Sequence, residues 1–177
     1  MPGMGYVAFG AQVLLCVTFA VAAVAKLRDL AGFRESLDRL LPLAHTLPAG
    51  TRMTAAAVVP VAELTIAALL VVPGAATIGT VAALLMTVGF TAVVGLALRR
   101  GDRAPCRCFG ASERRLGPQH LVRNVLLTVF AALGLAGGAT EPAGLLVAGF
   151  AGVVGALLVV WADDIAGLFG PGPAYRR

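Results

Sequence analysis

Thr-Ile-Gly-Thr-Val-Ala-Ala-Leu-Leu-Met-Thr-Val-Gly-Phe-Thr-Ala-Val-Val-Gly-Leu-Ala-Leu, residues 77–98, contains no ionisable side chain and ends on Arg99-Arg100. At ~1.5 Å per residue, a helix of that length crosses ~30 Å of hydrocarbon. Comparable apolar stretches recur at about 5–25, 53–72, 119–137 and 143–161. Charged residues make up 13% of the chain, about half the ~25% usual in soluble domains. These features read as an all-α integral membrane helical bundle, with about five transmembrane helices in one domain, residues 1–177. The net charge of +5 then reports orientation and contact with anionic lipid. The lipid bilayer is therefore the partner that composition implies, and nucleic acid is not.

Upstream of this span, an uncharged Val-Pro-Gly-Ala-Ala-Thr connection makes a tight turn back to the 53–72 span. Glu63 lies about eleven residues into that span. A carboxylate at such depth costs on the order of 2.5–3.5 kcal/mol to insert, and it faces a partner or a cavity. Pro60, one turn earlier, removes a backbone donor beside it. The first span carries Tyr6 for the aromatic belt and Lys26 at its other end, where the ammonium is expected to snorkel outward. Its start, Met-Pro-Gly-Met-Gly-Tyr, has no positively charged n-region, so the span is expected to stay in the mature chain. Cys16 sits ~15 Å deeper than Lys26 by helical rise, at about the level of Glu63, and reads first as a small apolar residue. Between the two spans, residues 28–41 form an amphipathic helix expected to lie in the interface plane. Leu30, Phe33, Leu37, Leu40 and Leu41 make one face, and Arg34–Asp38 and Glu35–Arg39 are i, i+4 pairs on the other.

Downstream, residues 99–124 are the longest polar interruption of the chain and hold Cys106 and Cys108, in the loop 99–118, with half of the Lys and Arg residues. Pro118 suits the first turn of the next helix. His120, Arg123, Asn124 and Thr128 then share one of its faces, expected to point into the bundle. In the last span Gly144, Ala148, Gly152 and Ala156 make a small-residue stripe that permits close helix approach. Trp161 and Asp163-Asp164 mark the far interface.

Of the fourteen Lys and Arg residues, five follow the first span, seven lie in or just after the cysteine loop and two end the chain. The two opposite connections have none. The positive-inside rule therefore sets the amino terminus outside the cytoplasmic membrane and the amphipathic helix, cysteine loop and carboxy terminus inside. Independently of absolute side, the amphipathic helix and the cysteine loop share one end.

Two cysteines one residue apart in a polar loop have little packing purpose. Paired, they would close a small, strained ring of the readily reduced kind. Nearby Arg103, Arg107, Arg114 and Arg115 favour the thiolate that attacks disulfides or binds metal. Three readings stay open. The first is thiol–disulfide exchange, with Cys16 as a third thiol if the loop dips inward. The second is transfer of a soft metal ion, with His45, His120 or Glu63 as further ligands, although no fixed metal site is defined. The third is a non-catalytic subunit whose Gly/Ala stripe docks a larger, respiratory complex. No cofactor is specified by the residues, and a quinone between the helices is left open.

Cys106-Arg-Cys108-Phe109-Gly110, ahead of a membrane helix bearing Arg123-Asn124, resembles the methylamine-utilisation MauE family within the wider DoxX-like group of membrane proteins. Phe19, Ala25-Lys26-Leu27 and Pro60-x-x-Glu63 extend the likeness, which covers roughly residues 5–135. The resemblance implies a helical membrane bundle acting in thiol–disulfide chemistry beside a thioredoxin-like partner. In the family's named system, that role is maturation of the disulfide-rich small subunit of methylamine dehydrogenase. It marks Cys106 and Cys108 as the redox pair, with Lys26, Glu63 and Arg123 as supporting polar residues.

Overall fold

Asp29 is where the chain first turns. Its carboxylate accepts the Gly32 N–H at 3.0 Å and its carbonyl accepts the Phe33 N–H at 3.0 Å, so it caps a new helix at the end of the first. The computed structural model describes residues 2–40, 46, 48–101, 116–137 and 142–169, with backbone alone for residues 2 and 163–169. Within these lie α1 (Pro2–Arg28), α2 (Leu30–Leu40), α3 (Ala49–Val71), α4 (Ala76–Arg99), α5 (Pro118–Gly134) and α6 (Pro142–Phe169). Cys106, Cys108, His45 and the arginines at 103, 107, 114 and 115 lie outside the described residues.

Neighbour contacts fix the topology of an all-α bundle. Lys26 meets Glu63 and Cys16 meets Ala67, so α1 and α3 run antiparallel. Gly79 packs on Leu69 and Leu70, and Thr91 on Thr128, so α3, α4 and α5 continue the alternation. Gly144 lies against Tyr6, and Gly152 against Gly10 and Leu14, which makes α6 parallel to α1. Every Lys and Arg among the described residues thus falls toward one end, together with α2 and both stems of the cysteine loop.

Four of the helices, α1, α3, α4 and α6, are long and apolar enough to cross a membrane. The expected span at 119–137 is shorter than that: α5 has 17 residues. Gln12 Nε2 donates to the Gly134 carbonyl at 3.1 Å, capping one of the carbonyls left over at the helix end. The same end of α5 packs on Thr80, one turn into α4.

The small-residue stripe of α6 is used within the chain. A Cβ added at Gly152 would lie 2.5 Å from the Gly10 carbonyl oxygen, and one added at Gly155 2.9 Å from Leu14 Cδ1. The Ala148 carbonyl in turn sits where a Gly10 Cβ would be 3.0 Å away. Hydrocarbon gives no hydrophobic drive between helices, so such close backbone contact supplies the attraction instead. The stripe is therefore packed against α1.

A second, smaller core closes the loop-bearing end. Leu40 of α2, Val94 and Ala97 of α4 and Leu116 cluster there, all buried. Gly101, with φ 77°, turns the chain out of α4, the left-handed position that glycine fills at helix ends. The two stems of the cysteine loop, at Gly101 and Leu116, are thus both tied to the bundle. Asp38 departs from the expected pairing: its carboxylate accepts from Arg52 of α3 at 2.9 Å, while Glu35 pairs with Arg39 within α2. Asp38 is buried because α2 lies on α3, which puts the Arg52 guanidinium closer than Arg34.

Gly152→Leu is expected to destabilise the bundle by about 1–3 kcal/mol, the usual result of overpacking. Gly149→Ala meets only Phe9 Cε1 at 3.5 Å and should be neutral. Thermal melting of the two variants in detergent checks the contrast.

Candidate functional site

Lys26 does not snorkel. Its ammonium donates to both carboxylate oxygens of Glu63, at 2.6 and 2.8 Å, and both residues are 2% exposed. Side chains on a helix tilt toward its N-terminus. From the last turns of α1 that direction leads back into the bundle, where Glu63 of α3 projects. Two charge-assisted bonds to one carboxylate are the strong form of the interaction. The ammonium also lies 5.4 Å from the Phe33 ring centroid and 5.7 Å from that of Phe90, within cation–π range. Phe33 comes from α2 and Phe90 from α4, so one ammonium ties α1 to three other helices.

Beside the pair is a small cavity of about 20 Å³. Thr18, Phe19, Ala22 and Lys26 of α1 line it, with Glu63, Thr87, Phe90, Asn124 and Leu127 from the other helices. Thr18, Ala22 and Lys26 follow one another at four-residue spacing and so form one stripe. Ala22 leaves the room that lets the longer side chains meet. Asn124 donates through Nδ2 to the His120 carbonyl one turn back at 2.8 Å. Thr87 donates to the Leu84 carbonyl at 3.0 Å.

The polar face expected on the helix after the cysteine loop is inside. His120, Arg123 and Asn124 are all buried, at 1%, 4% and 5% exposure. Of the residues singled out in the sequence, Lys26, Glu63 and Asn124 share this cavity, and His120 and Arg123 share the face of α5 that supplies Asn124. Cys16 is elsewhere. Its half-buried thiol donates to the Ala67 carbonyl of α3 at 3.5 Å, among the apolar side chains of the main core. Ala67 is one turn beyond Glu63, so the two lie at neighbouring levels without meeting. No group of three or more His, Cys, Asp or Glu poised for a metal occurs among the described residues.

Thr18, Thr87, Phe33 and Phe90 were not evident from sequence. The 77–98 span has no ionisable group and reads as packing, yet it supplies Thr87 and Phe90. A threonine at the same four-residue spacing as a span-end lysine was the available signal for Thr18.

Breaking a buried pair leaves an uncompensated charge. Glu63→Leu is expected to cost about 3–5 kcal/mol, and adding Lys26→Met should recover most of the loss. Unfolding of the single and double variants in detergent measures both, and equal losses in the two would show that the charge pairing is not what matters.

The geometry can be set beside known proteins. The family model for methylamine utilisation protein MauE matches residues 4–137, which takes in α1 to α5, the Lys26–Glu63 pair and the cysteine loop, and ends before α6. No curated protein and no solved structure matches the chain. With about three quarters of its length matched, from the first helix through the polar core, this membrane protein belongs to the MauE family.

Proposed function

We propose that the chain is a membrane thiol–disulfide exchange protein that works through Cys106 and Cys108 with a thioredoxin-like partner. The observation that supports it best is positional. The only close cysteine pair in the chain lies between two anchored stems, and the helix that follows buries His120, Arg123 and Asn124 in the bundle. Membership of the MauE family supports the same chemistry, and the substrate of the family's named system is not carried over with it.

In the reaction, a thiolate of the pair attacks the partner's disulfide. One partner sulfur leaves as a thiolate and takes up a proton, giving a mixed disulfide. The second cysteine then attacks that bond, closing Cys106–Cys108 and releasing the partner as a dithiol. Two electrons pass to the partner, and the two protons shed by the pair match the two that its thiols gain. The reverse direction makes and breaks the same bonds, and relative potentials decide which way it runs. Arginines beside the pair hold it in the thiolate form that attacks. On the cytoplasmic side, where the charge distribution sets this loop, the resting form is the dithiol.

A Cys106→Ser, Cys108→Ser variant is expected to lose all exchange with a disulfide-bearing thioredoxin-like protein. Each single serine variant should accumulate a mixed disulfide visible on a non-reducing gel. Full exchange by the double variant would remove the proposal. Labelling with a membrane-impermeant maleimide is expected to fail in intact cells and to succeed in opened vesicles.

A further inference from the structure

Six of the nine threonines in the described helices share a habit. Thr54, Thr65, Thr80, Thr91 and Thr128 each donate to the carbonyl four residues back, and Thr87 donates three residues back. This is the usual resting place of a hydroxyl in an apolar helix. Thr18 departs from it. Its hydroxyl is buried, at 2% residue exposure, and has no hydrogen-bond partner among the described residues. A polar group so placed is costly unless something meets it.

Thr18 lines the cavity beside the ion pair. The cavity measures about 20 Å³. A water molecule needs roughly 10–15 Å³ on this measure, with two to four polar partners. Pockets for organic ligands run to roughly 300 Å³ and more, so the space suits water and nothing larger. Polar groups among the lining residues can serve as those partners. Each Glu63 oxygen accepts one bond from Lys26 and has a further lone pair. Thr87 has given its proton to Leu84 and keeps its oxygen as an acceptor. Asn124 has given one N–H to His120, and its side-chain carbonyl can accept.

We propose that this cavity is a binding site for a single internal water. The water accepts a hydrogen bond from the Thr18 hydroxyl and donates to the Glu63 carboxylate and to Thr87 or Asn124. It joins α1 and α3, already linked by the Lys26–Glu63 pair, to α4 and α5. The site stands on the cavity and on Thr18 alone, and it is independent of any chemistry at Cys106 and Cys108.

X-ray radiolytic footprinting tests it, because hydroxyl radicals formed from an internal water mark the side chains around it. Leu127 lines the cavity and Leu15 does not, and both are buried. In the full-length protein in nanodiscs, Leu127 is expected to be oxidised several-fold faster than Leu15. Thr18→Val keeps the shape and removes the hydroxyl, and should bring Leu127 down to the rate of Leu15. Thr18→Ser keeps the hydroxyl and should retain the difference. Equal rates for the two leucines in the unaltered protein would show a dry cavity and overturn the proposal. So would a fast Leu127 that survives Thr18→Val in a variant whose melting is unchanged.

Discussion

The bidentate contact between the Lys26 ammonium and the Glu63 carboxylate sets most of what surrounds it. Two charges buried in lipid-embedded protein are tolerable only when each neutralises the other at short range. That requirement fixes the register of α1 against α3, because sliding by one residue would part the groups. It also calls for low bulk at the crossing, which Ala22 provides on α1. Phe33 and Phe90 then close over the ammonium from two other helices. The helix after the first span is drawn in as well: α2 brings Phe33 to the charge and Asp38 to Arg52. An amphipathic segment that composition alone would leave lying on the lipid surface thus acts as a cover over the polar core.

Elsewhere the bundle is held by closeness rather than by polarity. Along α1 and α6, glycines allow backbones to touch, and dispersion supplies what hydrophobicity cannot supply in lipid. The α6 helix keeps large apolar side chains such as Leu146, Val147 and Phe150 on its outer face. Its inner face is spent on α1 alone, apart from a light contact with α5. This division agrees with the limits of the family match, which covers the polar core and stops before α6. A polar centre shared by five helices and an outer helix attached through glycines are two different packing solutions in one chain.

The bundle, the number and order of its apolar stretches and the inward face of α5 were legible in the sequence because each rests on local pattern. Apolar length reports lipid, and spacings of three and four report a shared face. Glu63 was legible as a residue in need of a partner, since a lone carboxylate in hydrocarbon demands one. Its partner was not. Lys26 sits at a span end, where a lysine ordinarily reaches outward, and only the approach of α3 makes the inward direction better. The cap on the end of α5 was hidden for a similar reason: Gln12 lies 122 positions from Gly134 in the sequence. Thr18 and Thr87 carry no charge, so their role shows only once four helices enclose a cavity.

The same geometry bears on the cysteine loop without describing its interior. The loop leaves α4 at Gly101 and returns at Leu116, which is buried against Leu40, Val94 and Ala97. Fourteen residues therefore connect two fixed points at the basic end of the bundle. Immediately past the second point, α5 enters with His120, Arg123 and Asn124 turned inward, and Asn124 reaches the cavity beside the ion pair. Loss of the pair would unsettle α1, α3 and the cover helix α2 first, and with α2 the contact of Leu40 on Leu116. A mechanical link therefore runs from the buried charges to the loop stem through packed side chains. Polar residues of the core can in this way influence the cysteine loop, by holding in place the stem from which α5 begins.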